Sequence, residues 1–192
     1  MKFKAKKIAL FGTSADPPTN GHKKIIEELS KIFSLVISYA SDNPSKEHQE
    51  SLTFRSLLLK SLIEDLKNPN VFFDQELSSP WAIKTIKKCK LKYDTENIKF
   101  VIGSDLIEQI ISWKNFNEII KECDLFIIPR EGYLLNPRIL KKIEDNKGKY
   151  IISSFKVPNI SSSMIREKNL QLELPKSIVE IIKHKNLYKN LK

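Results

Sequence analysis

The feature that most constrains this chain is an alternation. Short apolar runs sit at 6–12 (KKIALFG), 34–40 (SLVISYA), 71–75 (VFFDQ), 98–102 (IKFVI), 124–129 (DLFIIP) and 149–153. Between them, apolar residues recur at helical spacing, as at Ile25, Ile26, Leu29, Ile32 and Phe33. A strand with one wet face shows a polar residue at every second position, whereas an unbroken apolar run must be covered on both faces. The spacing predicts helices over 20–33, 52–66 with Ser51 as N-cap, 81–90, 104–112, 115–122, 137–144, 161–168 and 175–183, the last opened by Pro175. The segment 41–50 (SDNPSKEHQE) reads as a loop by composition.

Strands separated by helices point to a parallel sheet, because parallel neighbours need a crossover connection. The expected fold class is therefore α/β: a Rossmann-like, doubly wound, mainly parallel sheet with helices on both faces. At 192 residues, with no internal repeat or low-complexity linker, one domain spanning 1–192 is expected. No apolar stretch approaches a membrane span, and residues 1–12 lack the apolar centre of a signal peptide, so no membrane partner is expected. Cys89 and Cys123 make neither a disulfide framework nor a zinc site, which suits two reduced thiols in a cytoplasmic protein. The formal net charge of +10 raises the question of nucleic acid. The lysines are spread along the chain, and arginine occurs only at 55, 130, 138 and 166, so no nucleic-acid partner is expected. A basic surface that attracts a polyanionic small molecule fits the same charge.

In doubly wound sheets, ligands bind beyond the C-terminal strand ends where strand order reverses. The residues at those ends are polar. Gly12 is followed by Thr13, Ser14, Asp16, Thr19, Asn20, Gly21 and His22; the second strand leads to Asn43, Lys46 and His48. The fourth run ends at Gly103-Ser104-Asp105, the fifth at Pro129-Arg130, and the sixth leads to Ser161, Ser162, Ser163 and Arg166. Such residues suit phosphate handling, since amides at a glycine-bearing turn and helix start point at an anion. GxxxxGK[ST], GxGxxG, a zinc cluster and a GxSxG elbow are all absent from the sequence. Singly, each residue has a plainer reading. His22 could cap its helix, Ser161–Ser163 could be an ordinary N-cap, Arg166 a surface residue, Trp113 half-buried core, Asp105 a helix-dipole partner and Lys46 a solvated loop lysine. Their joint placement is what argues for a site.

The segment GTSADPPTNGH (12–22) resembles the first signature of the nucleotidyltransferase superfamily of adenylyl- and cytidylyltransferases, and ISSSMIR (160–166) resembles its second. Within that superfamily the chain is most similar to the nicotinate-nucleotide adenylyltransferases, through SDNPSK (41–46), SPWAIKTI (79–86), IGSD (102–105), Trp113, IPREGY (128–133) and HKNLY (184–188). It departs at Thr19, where the family has a histidine, at Ala15, where it has an aromatic residue, and at Trp81 and Lys84, where Tyr and Asp are frequent. A TxGH form is also typical of pantetheine-phosphate adenylyltransferases, the second family considered. Nicotinamide mononucleotide as acceptor, and a non-catalytic nucleotide-binding regulator, are further alternatives.

The resemblance implies adenylyl transfer from ATP, with Mg²⁺, to a phosphorylated mononucleotide, giving nicotinate adenine dinucleotide and pyrophosphate. It implies catalytic roles for His22, Thr19, Arg166 and Lys46. ATP would be held by Gly12, Thr13, Ser14, Gly21, Gly103, Asp105, Ser162 and Ser163. The acceptor would meet Trp113, Thr85 and Arg130. No residue is expected to act as a dedicated metal ligand: Mg²⁺ would ride on substrate oxygens, and Asp16 would orient its loop. A homo-oligomer is left open.

Overall fold

In the computed structural model, residues 7–157, 160–168 and 170–189 are described. Lys6, the expected first residue of the opening strand, lies outside them. Six strands form one sheet: β1 (Ile8–Thr13), β2 (Leu35–Ala40), β3 (Val71–Phe73), β4 (Ile98–Gly103), β5 (Asp124–Ile128) and β6 (Tyr150–Ile152). Seven α-helices connect or follow them: α1 (Asn20–Ile32), α2 (Leu52–Leu66), α3 (Ala82–Tyr93), α4 (Phe116–Glu122), α5 (Pro137–Asp145), α6 (Ser162–Lys168) and α7 (Lys176–Lys185). The strand order is β3-β2-β1-β4-β5-β6, and every pairing is parallel. Order therefore reverses between β1 and β4.

Alternating side chains of the buried strands feed two cores, one on each face. Ala9, Phe11, Val36, Phe126 and Ile128 pack with α1, α2 and α7. Ile8, Leu10, Ile37, Leu125 and Ile127 pack with α3, α4 and α5. This is the reason the runs of β1, β2, β4 and β5 are apolar without alternation; the edge strands β3 and β6 are not covered on both faces and leave Phe72, Ile151 and Ile152 exposed.

The elements differ from expectation at their ends. β3 stops at Phe73 because Asp74 leads into a 3-10 turn, Gln75–Leu77, whose Gln75 side chain exchanges two hydrogen bonds of 2.9 Å with the Ala40 backbone. The turn thus plugs the end of β2 instead of prolonging β3. The helix expected over 104–112 is two 3-10 turns, Ser104–Leu106 and Ile110–Ser112. Pro175 is the N-cap of α7, with an extended backbone, rather than its first helical residue.

Candidate active site

At the switch point the β1–α1 loop carries the first motif. Gly12 is needed where it stands: a Cβ there would come within 2.4 Å of the Tyr39 hydroxyl on the neighbouring strand, and Tyr39 is buried. Thr13 turns its hydroxyl inward, where it accepts from the Ala15 N–H at 3.3 Å. The loop then enters α1 through a capping box. The His22 N–H donates to Thr19 Oγ1 at 3.3 Å, and the Thr19 N–H donates back to His22 Nδ1 at 3.0 Å. The Thr19 hydroxyl also lies 2.8 Å from Nδ1. With Nδ1 accepting from a backbone N–H, the ring proton is assigned to Nε2, which leaves that nitrogen as a donor. Desolvation, then the positive charges of Arg130 and Lys46, lower the His22 pKa from 6.5 to about 3. The imidazole is a neutral donor at physiological pH.

The second motif packs directly on the first. A Cβ on Gly21 would sit 3.3 Å from the Ile160 carbonyl. Ser162 donates its hydroxyl to the Pro17 carbonyl at 2.8 Å, and Ser161 caps α6 by accepting from the Met164 N–H at 3.2 Å. Arg166 reaches the Asp16 backbone carbonyl and lies 3.3 Å from its Oδ2. Two segments about 140 residues apart in sequence are thereby one wall.

Asp16 is the centre of that wall. Its side chain is inaccessible, yet each carboxylate oxygen is fully occupied. Oδ2 accepts from the Gln49 N–H at 2.8 Å, with Arg166 at 3.3 Å and His48 Nδ1 at 3.6 Å. Oδ1 accepts from the Tyr188 hydroxyl at 2.8 Å and the Glu50 N–H at 3.2 Å. Arg55, also buried, reinforces the same junction by donating to the carbonyls of Ser14, Ser41 and Glu50 at 2.7, 3.0 and 3.1 Å. A carboxylate so enclosed by donors has no lone pair left for a metal, in keeping with a loop-orienting role.

On the β4 and β5 side, Arg130 donates to Asp105 Oδ2 at 2.9 Å and to the Ile160 carbonyl at 3.2 Å, while its own N–H donates to Ser104 Oγ at 2.9 Å. Gly103 permits this: a Cβ there would lie 2.2 Å from Asp105 Oδ1 and 3.0 Å from Arg130 Cδ. Among the described residues, Asp105 Oδ1 and Arg130 Nε are buried without a hydrogen-bond partner. Lys46 is exposed on the 41–50 loop. Desolvation of its ammonium, with Arg166 and Arg130 adding to it, lowers its pKa, against the pull of Asp105 and Asp16. Lys46, Arg130 and Arg166 thus stand over the His22 end of α1 with two carboxylates already committed to orienting them. Such a cluster suits an anion of several charges.

A second region lies beyond β2. Trp113, half-buried, meets Phe100 edge to face at 6.2 Å, and Trp81 carries the Lys114 ammonium 4.4 Å above its ring. Trp81 is the N-cap of α3, whose first amides, those of Ala82 and Ile83, have no intrahelical acceptor. Thr85 does not offer its own amide. Its N–H donates to the Trp81 carbonyl at 3.3 Å and its side chain is buried. The backbone donors near Thr85 are therefore two and three residues earlier, at the mouth of the helix.

Comparison with known proteins joins these parts. Residues 10–168 match the model of the family described as cytidylyltransferase-like. The chain belongs to that family. Curated relatives named "Probable nicotinate-nucleotide adenylyltransferase" include one from Synechocystis, 33% identical and covering 95% of this chain and 99% of its own length. Another, from Clostridium novyi, is 31% identical over 96% and 100%. At that identity and coverage the chain is a member of the nicotinate-nucleotide adenylyltransferases, and so an enzyme of the nucleotidyltransferase class. The fold also matches solved Plasmodium falciparum nicotinic acid mononucleotide adenylyltransferase, described as complexed with NaAD (TM-score 0.80) and with APC (TM-score 0.78). Each is 22% identical and covers 96% of this chain and 98% of its own.

Within this cytidylyltransferase-like fold, the structure gathers His22, Thr19, Lys46, Arg166, Gly12, Thr13, Gly21, Gly103, Asp105 and Ser162 around the switch point. Ser14 joins them through its carbonyl, bonded to Arg55. Ser163 follows Ser162 in the first turn of α6. Arg130, expected on the acceptor side by resemblance, is here paired with Asp105 and acts on His22. Sequence reasoning missed Arg55, Tyr39, Glu50 and Tyr188 as builders of the site. An arginine inside an apolar helical face was the signal available at Arg55, and the HKNLY likeness was the one at Tyr188.

Proposed function

We propose that this chain transfers the adenylyl group of ATP to the phosphate of nicotinate mononucleotide, releasing pyrophosphate. An acceptor phosphate oxygen forms a bond to the α-phosphorus as the bond from that phosphorus to the pyrophosphate oxygen breaks. The acceptor is already an anion near neutral pH, so no general base is required. Catalysis comes from alignment and from donors aimed at developing charge. The observation that carries this reading is the Thr19–His22 capping box. It fixes the tautomer and leaves Nε2–H to donate to the phosphates, beside Lys46 and Arg130.

Lys46, Ser162, Ser163 and Arg166 hold the polyphosphate, and Asp105 with Arg130 meets the adenosine side. Trp113 stacks on the nicotinate ring, while the α3 mouth at Ala82 and Ile83 takes its carboxylate. Mg²⁺ would arrive on ATP and be held by phosphate oxygens and water, since Asp16 is saturated and Asp105 is tied to Arg130. It would supply charge neutralisation of the leaving group. Among the described residues no helix is long and apolar enough to cross a membrane, and work in the cytoplasm is part of this proposal.

The test is pyrophosphate release with ATP and Mg²⁺, in parallel with nicotinate mononucleotide, nicotinamide mononucleotide and 4′-phosphopantetheine. Turnover confined to the first supports the assignment. Turnover with phosphopantetheine alone, the acceptor that Thr19 of the TxGH form favours, would overturn the acceptor. Nucleotide binding with no pyrophosphate from any acceptor would reduce the chain to a regulator.

A further inference from the structure

The resemblance assigns nothing to the end of the chain beyond a likeness of HKNLY. The structure brings that end into the phosphate wall. Past α7, Asn186 and Tyr188 adopt left-handed backbone, with φ of 51° and 47°, and the turn drives the Tyr188 ring into the core. Only 1% of Tyr188 is exposed. Its N–H donates to Glu50 Oε1 at 3.0 Å, and its hydroxyl donates to Asp16 Oδ1 at 2.8 Å. Burial and the neighbouring Asp16 carboxylate push the phenol far above its usual pKa, so it stays a donor at any working pH.

We infer that Tyr188 is a positioning residue for ATP, acting through Asp16 to keep the Arg166 guanidinium free for the β- and γ-phosphates. This rests on the reading of Arg166 as a phosphate ligand. Asp16 is a buried carboxylate and must be satisfied by donors. Tyr188 and the Glu50 N–H satisfy Oδ1, and the Gln49 N–H satisfies Oδ2. Arg166 therefore spends a single nitrogen, Nη1, on Asp16, and among the described residues no other nitrogen of its guanidinium is engaged. Without the phenol, Oδ1 would keep only the 3.2 Å amide. Arg166, with Nη1 already 3.3 Å from Oδ2, is a side-chain donor at hand. Drawn into a two-pronged pair with Asp16, it would turn its remaining N–H groups away from the ligand.

Tyr188→Phe keeps the ring in the core and removes the hydroxyl alone. ATP and AMP affinities, measured by calorimetry with Mg²⁺, separate the proposal from a purely structural role, because AMP lacks the phosphates that Arg166 would hold. Loss of one hydrogen bond predicts about 3–10-fold weaker ATP binding, with AMP binding unchanged. In an Arg166→Ala background the same substitution should add nothing, since the two act in series. Equal ATP affinity in Tyr188→Phe, equal losses for ATP and AMP, or additivity with Arg166→Ala would each overturn the inference. Failure of the parent protein to bind ATP at all would instead overturn the function on which it rests.

Discussion

The two ends of the sheet use ion pairs in opposite ways. At the C-terminal ends of the strands, Asp16 is sealed among backbone amides, a phenol and Arg166, and Asp105 is tied to Arg130. At the N-terminal ends, Lys90 reaches Glu96 and Glu122 at 2.7 and 2.6 Å, and Lys99 reaches Asp124 at 2.5 Å, with Glu96 86% exposed. The distances are alike, but Asp16 and Glu96 stand in opposite environments, one inaccessible and one in water, although Lys90 and Lys99 are themselves largely covered. Water competes for Glu96 and screens it, whereas removing Asp16 leaves buried donors without an acceptor. Charge at Asp16 therefore fixes geometry, and charge at Glu96 mainly keeps the surface wet.

The largest expected effect is that of Asp16→Ala, which strands the Tyr188 hydroxyl, two amides and Arg166. It should cost about 3–5 kcal/mol in urea unfolding; a loss no greater than that of a surface pair would erase the contrast between the two ends. His22→Ala should lower kcat by about 10²–10³-fold with a small change in the KM for ATP, as expected of a donor to developing charge. An unaltered kcat would make the capping box purely structural.

The same histidine gives a pH test. Its folded pKa, about 3, lies below the unfolded value of 6.5. The unfolded chain binds the extra proton in that window, so this contribution is complete above pH 6.5 and is lost as pH falls toward 3. Gln at position 22 can still close the capping box. His22→Gln should therefore gain stability relative to the parent as pH drops through the window, and parallel pH curves would contradict the half-buried, neutral imidazole. Trp113→Ala should raise the acceptor KM by about 3–10-fold, the worth of one aromatic contact, with ATP binding retained. The smallest effect belongs to the far end. Glu96→Gln should change stability by less than about 1 kcal/mol and leave turnover alone.

Much of the site was legible because strand ends are legible. Once β1, β4 and β5 are read from their apolar runs, Gly12, Gly103 and Arg130 fall at one edge, and the two motifs mark the rest. Thr19 and His22 could be read as a cap because a capping box is local, spanning three residues. The Asp16 junction could not be read that way. Its partners come from the 41–50 loop, α6 and the third residue after α7, and no local pattern links positions 16, 49, 166 and 188. The turn over 75–77 was missed for a similar cause, since Gln75 answers to the Ala40 backbone, not to its own neighbours. Thr85 lay in the right helix, but only helix geometry shows that its amide is spent and that the free ones precede it.

The sequence by itself determined the layers, the parallel sheet and the residues that gather at its switch point, because periodicity and strand-end chemistry are written along the chain. The tertiary structure alone decided the protonated nitrogen of His22, the pairing of Arg130 with Asp105, and the enclosure of Asp16 by the C-terminal tyrosine. The first group depends on where residues fall in one element, the second on which buried donor meets which acceptor once several elements have closed around them.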